Sequence, residues 1–315
     1  MTLYQKQIIM KKTFEEIAGK WMSDKKPYVK KSTYCAYSLL LSKHLVPEFE
    51  KMGEITESHV QNFVFEKLSQ GLAQKYVKDM LIVLKMIIRY AVKNKYIPHV
   101  EMDIKFPPER TRRELDVLTR SQHRQILYYV KNHFSFMNLG IYICLCTGLR
   151  IGEICALQWD DIDTSRGVLN VSRTIQRVYV NNDARHYTEV IIGTPKSRNS
   201  MREIPIAREL LRTLKPLKRI IGGDCYVLTS TRKPIEPRTY RNYYNKLIRK
   251  LDIPPLKFHG LRHSFATRCI EGNCDYKTVS VLLGHSNIST TLNLYVHPNM
   301  EQKQKCVEQV FRSLK

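Results

Sequence analysis

Six side chains of the types that carry out phosphoryl-transfer chemistry are spread over the second half of the chain. They are Arg150, Lys196, His259, Arg262, His285 and Tyr295. A guanidinium group is permanently charged and forks to bind the oxygens of a phosphate. An imidazole can take up a proton near neutral pH, an amine can donate one, and a phenol can act as a nucleophile. Gathered around one phosphorus atom, these groups could break and re-form a phosphodiester bond.

The six residues lie in four short polar clusters, and each residue alone has a plainer structural explanation. The clusters cover residues 147–153, 194–205, 259–267 and 282–295. Arg150 could pair locally with Glu153, Lys196 could be a solvated turn lysine, and Tyr295 is one of 18 tyrosines. Polar surface residues usually have no catalytic role. Taken singly, none of the clusters indicates an enzyme.

Together, and in this order, the clusters resemble the motifs of the tyrosine recombinase (phage integrase) family. The resemblance covers nearly the whole chain. The matching residues are Arg150 with Glu153, Lys196, His259 with Arg262 and His263, and His285 with Tyr295. Lys196 is matched as the only lysine of its turn, because the neighbouring Arg198 holds its proton too tightly to act as an acid.

The resemblance implies a nucleophile and a charged pocket for one DNA phosphate. Tyr295 would attack the phosphorus, and His259 would take its proton, since a free phenol has a pKa near 10. Arg150 and Arg262 would stabilise the extra negative charge of the five-coordinate phosphorane. The product would be a 3′-phosphotyrosyl bond and a free 5′-hydroxyl group.

The remaining matched residues would complete the reaction without a cofactor. Lys196 would protonate the leaving 5′-hydroxyl, and His285 would hydrogen-bond the phosphate. Glu153 and His263 would support the first and second motifs. Because the phosphotyrosyl bond conserves the phosphoester energy, rejoining would need no ATP. No carboxylate cluster of the kind that binds metal accompanies the motifs, so we expect neither a metal nor another cofactor.

The first part of the chain must supply a helical module. Apolar residues recur at helical spacing after Thr13 and after Thr56, each of which can cap a helix. Similar spacing predicts helices over residues 32–44 and 73–94. Four helices with short connections predict a compact all-α domain over residues 1–95. Three prolines and a charged run then predict a linker over residues 96–118.

The second part must position the motifs. Thr119 with Gln122 predicts a capping box that opens a new helix, and the apolar residues 137–157 are helical in part. Residues 168–180, 187–192 and 202–206 are predicted as strands, with a turn at residues 181–183. From Arg238 to the end of the chain, the sequence pattern is again typical of helices.

These elements and the resemblance predict a mainly α fold with a small antiparallel β-sheet. A SAM-like helical core-binding domain would occupy residues 1–95, and an α+β catalytic domain residues 119–300. The last segment, 301–315, is predicted to be an amphipathic helix. Its apolar face consists of Val307, Val310, Phe311 and Leu314. This face could pack on its own domain or dock on a neighbouring protomer, and the sequence leaves both open.

Composition points to a polyanionic partner. The 52 Lys and Arg residues exceed the 29 Asp and Glu residues, which gives a net charge of +23. Both halves of the chain carry a net positive charge, which favours two domains that bind double-stranded DNA. The eight cysteines include no CxxC pair, so neither a zinc site nor a disulfide framework is expected. With no signal peptide and no apolar stretch long enough to cross a bilayer, we expect a cytoplasmic, nucleoid-associated bacterial protein without a membrane partner.

Within the family, the resemblance implies a homotetramer that acts on two DNA sites, with room for an accessory DNA-bending or directionality factor. Integration or excision of a mobile element is the first expectation, and a DNA-inversion switch or a chromosome-dimer resolvase is its rival. A DNA-binding accessory protein that has lost catalysis is one alternative, although the complete motif set argues against it. A type IB-like topoisomerase, relaxing one duplex without site preference, is another.

Overall fold

Helices dominate the computed structural model of the chain, which describes residues 12–50, 55–108, 116–182, 185–195, 198–295 and 300–313. The chain divides into two units. The first consists of Met1–Arg113 with Val178–Glu189, and the second of Glu114–Arg177 with Val190–Lys315. This confirms the predicted class of a mainly α protein with short antiparallel strands.

The described N-terminal helices are α1 (Phe14–Lys25), α2 (Lys31–Leu40), α3 (Val46–Phe49), α4 (Glu57–Ser69) and α5 (Gln74–Lys93). Of these, α1 and α4 begin at the predicted caps, Thr13 and Thr56. The Thr13 hydroxyl accepts a hydrogen bond from the backbone N–H of Glu16, whose side chain accepts one from the Thr13 N–H in return. Thr56 caps α4 in a similar way. The second predicted helix extends further than expected, because a π-helical segment, Leu41–Leu45, joins α2 to α3.

The core of the first unit consists of aromatic and aliphatic side chains from these helices. Trp21, Phe49, Phe63 and Leu84 are all at most 2% exposed. The first part of the predicted linker also packs against this core, through Ile97, Val100, Met102, Ile104 and Phe106. These apolar residues therefore hold the start of the linker on the helical unit, although its prolines prevent a regular helix.

The second unit is built mainly from helices that carry the motifs. They are α6 (Arg120–Asn132), α7 (Phe136–Thr147), α8 (Ile151–Ala156), α9 (Arg208–Ile220), α10 (Pro237–Lys250), α11 (His259–Glu271), α12 (Tyr276–Leu283), α13 (Ile288–Tyr295) and α14 (Met300–Ser313). The predicted capping box of Thr119 and Gln122 opens α6. Sequence analysis did not predict α9, which contains Pro216.

The strands are more numerous than predicted, and their bounds differ. They are β1 (Ile162–Asp163), β2 (Val168–Val171), β3 (Thr174–Asn182), β4 (Arg185–Gly193) and β5 (Arg202–Pro205). β2 is the central strand of an antiparallel sheet of order β1-β2-β5, in which Leu169 faces Ile204, and β3 pairs with β4. The single strand predicted over residues 168–180 is therefore wrong, because the chain leaves the first sheet between β2 and β3. The predicted turn at residues 181–183 begins too early, since β3 continues to Asn182.

Several sequence predictions fall wholly or partly outside the described residues: the charged run at residues 109–114 of the linker, Asp183 of the turn, Lys196, and Leu314 of the last helix. Across the part of the chain that is described, no helix is both long and apolar enough to cross a membrane. Within the same residues, no group of three or more His, Cys, Asp or Glu side chains could hold a metal ion.

Candidate active site

The C-terminal end of α12 is the centre of the candidate site. Gly284 follows the helix in the left-handed conformation, with φ +64°. Its N–H donates to the Val281 carbonyl at 2.9 Å, and the His285 N–H donates to the Ser280 carbonyl at 3.0 Å. This pair of bonds ends a helix in the Schellman manner and turns the chain sharply. A Cβ atom at Gly284 would lie 2.9 Å from the Asn199 carbonyl oxygen, so only glycine fits here.

Three arginines from three different elements satisfy the next three backbone carbonyls. Arg202 Nε donates to the Leu282 carbonyl at 2.6 Å, and Arg262 Nη2 donates to the Leu283 carbonyl at 2.6 Å. Arg150 Nη2 donates to the Gly284 carbonyl at 3.1 Å. The last carbonyls of a helix have no partner within the helix and carry the negative end of its dipole. Cationic side chains are therefore stabilised at this position, and they converge on one point.

Glu153 joins two of these arginines. Its carboxylate accepts from Arg150 Nη1 at 2.7 Å and from both terminal nitrogens of Arg202, at 3.2 and 3.1 Å. It also accepts from the Arg150 backbone N–H at 2.9 Å, which caps α8. Burial by itself raises the pKa of Glu153, but the adjacent charges of Arg202 and Arg150 outweigh it and the pKa is lowered. The carboxylate is therefore ionised at neutral pH.

The first turns of α11 present three motif residues at helical spacing. His259, Arg262 and His263 are related as i, i+3 and i+4, so they lie on one side of the helix. Arg262 is 2% exposed, and its Nη1 donates to the Gly148 carbonyl at 3.0 Å. Burial, followed by the nearby charge of Arg150, lowers the pKa of Arg262 to about 9. The guanidinium group is still charged at pH 7.

Tyr295, the last residue of α13, contacts His263 rather than His259. Its hydroxyl oxygen shares a hydrogen bond of 2.6 Å with His263 Nδ1. The His259 ring meets the His263 ring edge-on, with 4.6 Å between centroids. Tyr295 is 9% exposed and packs in a small cluster with Ala266, Val279 and Leu283. The described structure thus gives the phenol a histidine neighbour, but a different one from the predicted base.

The charges of Arg150 and Arg262 reach the phenol and two of the imidazoles. Burial raises the pKa of Tyr295 to about 12, although the two arginines act in the opposite direction. Burial also lowers the pKa of His285 to about 4, and the same arginines add to this shift. Although His259 is partly exposed to solvent, its partial burial, followed by the charges of His263, Arg262 and Arg150, lowers its pKa to about 4 as well. At pH 7 the phenol and both imidazoles are therefore neutral.

The structure brings five of the six predicted catalytic residues into one site. They are Arg150, His259, Arg262, His285 and Tyr295. Lys196 lies outside the described residues. The two predicted supporting residues, Glu153 and His263, lie in the same site. Two further residues were not predicted as part of it.

The unpredicted residues are Arg202, which is held by Glu153, and Thr291. The Thr291 hydroxyl shares a hydrogen bond of 2.8 Å with His285 Nδ1. Thr291 is fully buried one helical turn before Tyr295, on the same face of α13. Its spacing of four from Tyr295 was a usable signal. Arg202 lies in the second predicted cluster, residues 194–205, but the sequence analysis assigned it no role.

Family models match most of the chain. The phage integrase family matches residues 116–302, and the N-terminal SAM-like domain of phage integrases matches residues 13–68. A XerC-like tyrosine recombinase from Caldanaerobacter subterraneus subsp. tengcongensis is 30% identical over 281 residues, which cover 82% of this chain and 71% of the relative. The ICEBs1 integrase of Bacillus subtilis is 24% identical over 289 residues, which cover 87% and 76%.

Solved structures share the fold. The Tn1549 transposon integrase in complex with a circular intermediate DNA superposes with a TM-score of 0.73 at 22% identity, covering 95% of this chain and 99% of that one. A λ integrase tetramer bound to a Holliday junction gives a TM-score of 0.65 at 19% identity, covering 95% and 83%. Both the helical N-terminal module and the motif-bearing unit therefore have counterparts of known structure.

Proposed function

The chain belongs to the phage integrase family and is a site-specific DNA recombinase, and from this premise we propose how its residues divide the reaction. Tyr295 attacks a backbone phosphate and forms a 3′-phosphotyrosyl bond. The observation that carries this assignment is geometric: the Tyr295 hydroxyl is hydrogen-bonded to His263, and Arg262, one residue before it on α11, converges with Arg150 on the end of α12. Two buried or half-buried guanidinium groups near a tyrosine hydroxyl are typical of an anion-binding site next to a nucleophile.

Arg150 and Arg262 bind the non-bridging oxygens of the phosphate. Each guanidinium group has five N–H donors. Arg150 uses Nη1 for Glu153 and Nη2 for Gly284, and Arg262 uses Nη1 and Nη2 for the Gly148 and Leu283 carbonyls. Each group therefore keeps N–H donors for a ligand. Because the backbone holds both groups in place, they need not reorganise as charge develops on the phosphorane.

His259 and His263 provide the proton acceptor for the Tyr295 phenol. A phenol with a pKa of about 12 cannot ionise alone at pH 7 and needs a base as it attacks. Both imidazoles have lowered pKa values through burial and neighbouring charges, so both are neutral and able to accept. In the described structure, His263 is hydrogen-bonded to the Tyr295 hydroxyl. The His259 ring contacts the His263 ring, and the charges of both arginines act on His259. The two single variants His259→Ala and His263→Ala would identify the group that removes the proton.

The other half of the reaction is protonation of the leaving group. Lys196 donates a proton to the 5′-oxygen as the phosphorus–oxygen bond breaks, and His285 hydrogen-bonds the phosphate. The attack transfers the phosphoryl group from the 5′-oxygen to the Tyr295 oxygen, with one P–O bond formed and one broken. A 5′-hydroxyl of a second strand can then reverse the step, which rejoins DNA without ATP.

The biological role that fits best is integration and excision of a mobile element at the bacterial nucleoid. Relatives include the ICEBs1 integrase and the transposase of Tn916 from Enterococcus faecalis. A homotetramer on two DNA sites, with an accessory DNA-bending or directionality factor, would carry out the exchange. Val307 and Phe311 of α14 are 63% and 67% exposed, which supports docking of this helix on a neighbouring protomer.

The decisive experiment is recovery of the covalent intermediate. The chain would be incubated with a random-sequence duplex library, denatured, and the protein-linked DNA sequenced to define the cleaved site. Mass spectrometry should place a deoxynucleotide on the peptide that contains Tyr295. Tyr295→Phe should bind the selected duplex with unchanged affinity and yield no adduct. An adduct formed by this variant, or an adduct on another residue, would remove the assignment. Cleavage without sequence preference by a monomer would favour a topoisomerase.

A further inference from the structure

Arg202 lies at the centre of the site, yet its donors are already in use. Its Nε donates to the Leu282 carbonyl, Nη1 to Glu153 and to the Ser200 carbonyl, and Nη2 to Glu153. Four of its five N–H groups are therefore occupied by the protein. Its side chain is only 4% exposed. Arg262 is equally buried but uses only two of its five donors for the protein, whereas Arg202 has one left and cannot form a two-pronged pair with a phosphate. Arg202 must therefore act through its neighbours.

Those neighbours are the groups that orient the two phosphate-binding arginines. Glu153 contacts Arg150, and the carbonyls that follow Leu282 receive Arg262 and Arg150. Arg202 thus contacts both the carboxylate that anchors Arg150 and the helix end that anchors both arginines. It is also the first residue of β5, so it ties the start of this strand to the same point.

We propose that Arg202 is a positioning residue for phosphodiester cleavage. It shares the Glu153 carboxylate with Arg150 and fixes the end of α12, so that the Arg150 guanidinium group faces the phosphate. This inference rests on the proposed function. Without Arg202, Glu153 has Arg150 as its remaining charged partner in the site. Arg150 is then drawn into a two-pronged ion pair with Glu153, and its donors turn away from the phosphate.

The test compares cleavage and binding in matched variants, on the duplex selected with the unmodified chain. Arg202→Met should form the covalent adduct at least about tenfold more slowly at saturating DNA, a loss of the size seen when one fixed donor is removed. Its affinity for the duplex should stay within about twofold, because the removed group does not touch DNA. Arg202→Lys, which keeps the charge and is the safer variant for folding, should recover only part of the rate. An ammonium group cannot reproduce a planar fork.

Arg166→Met is the matched control. Arg166 forms the same two-pronged pair, with Glu203 next to Arg202, at 3.2 and 3.0 Å, but its side chain is 60% exposed. Its removal should leave the cleavage rate of bound DNA unchanged. All variants would be assayed below the onset of their thermal unfolding, so that loss of folded protein does not enter the rate.

A double-mutant cycle with Glu153→Gln separates positioning from general support of the fold. If Arg202 acts through Glu153, the double variant should cleave no more than about twofold slower than the slower single variant. Rate losses that multiply would overturn the proposal, and so would folded Arg202 variants that cleave as fast as the Arg166 control. A selective loss of DNA affinity would instead make Arg202 a DNA contact. Failure of the unmodified chain to form any adduct would reject the proposed function rather than this inference.

Discussion

Replacing Glu153 with alanine removes the carboxylate that neutralises the arginines of the site. The Glu153 and Arg202 side chains are 3% and 4% exposed, so the variant leaves a guanidinium group buried without its counter-ion. Breaking a buried ion pair in this way typically costs about 3–5 kcal/mol. For a domain of this size, each kcal/mol shifts the melting temperature by about 2–4 °C. We therefore expect the catalytic unit to melt roughly 6–20 °C lower in Glu153→Ala.

The chain offers a control with the same chemistry and different burial. Glu203 pairs with Arg166 through both oxygens at 3.2 and 3.0 Å, almost the geometry of Glu153 with Arg202, but the two side chains are 52% and 60% exposed. Exposed pairs contribute about 0–1 kcal/mol, so Glu203→Ala should melt within about 4 °C of the unmodified chain. Calorimetry on both variants measures the difference. Equal shifts would refute the argument that burial of the Glu153 cluster sets its energetic weight.

Three further predictions concern protons and charge. Because burial and nearby arginines lower the pKa of His285 and His259 to about 4, the unfolded chain binds more protons than the folded one between pH 4 and 6.5. Stability should therefore rise with pH through this window, by at most about 1.4 kcal/mol per pH unit for His285 and by less for His259, which is more exposed to solvent; a flat melting profile would contradict the lowered pKa values. Lys196→Ala should bind DNA normally and cleave much more slowly, with recovery on a substrate whose 5′-thiol leaves without a proton; absence of recovery would assign the acid elsewhere. The logarithm of DNA affinity should fall linearly with the logarithm of salt concentration, and a salt-insensitive affinity would argue against extensive phosphate contacts.

Elements with local start signals could be predicted from the sequence. Thr13, Thr56 and Thr119 each cap a helix where expected, because a capping hydroxyl bonds to a backbone N–H only two or three residues away. The predicted helix over residues 73–94 is observed as α5, whose long apolar face gave an unambiguous period. Such signals depend only on neighbours in sequence, so they do not require knowledge of the fold.

Elements decided by tertiary packing could not be predicted. Helix α9 contains Pro216, which argues locally for a break, but Leu210 and Leu214 are fully buried and hold the helix on the core. The division between β2 and β3 depends on which sheet each segment joins. β2 pairs with β5, whereas β3 pairs with β4. Strand propensity is the same on both sides of that boundary and carries no information about partners.

The candidate site shows the same limit. Motif residues could be selected because their types and order match a known pattern, and five of them meet in the structure. The choice between His259 and His263 as neighbour of Tyr295 depends on the angle between α11 and α13, which no spacing rule gives. Arg202 could not be selected from its cluster because two of its acceptors, Glu153 and the Leu282 carbonyl, are distant in sequence.

The electrostatic state of the site indicates how it would favour the transition state over the substrate. Burial, followed by the nearby charge of Arg150, lowers the pKa of Arg262 to about 9. Glu153 offsets the repulsion between these arginines, but its carboxylate is shared with Arg202 and supplies only one negative charge to three guanidinium groups. An excess of positive charge therefore remains, held in place by backbone carbonyls. A phosphorane carries one more negative charge than the phosphodiester from which it forms, so it relieves the repulsion more fully. Only interactions that strengthen in the transition state increase the rate, so in the proposed reaction this excess charge would supply the catalytic effect of the arginines.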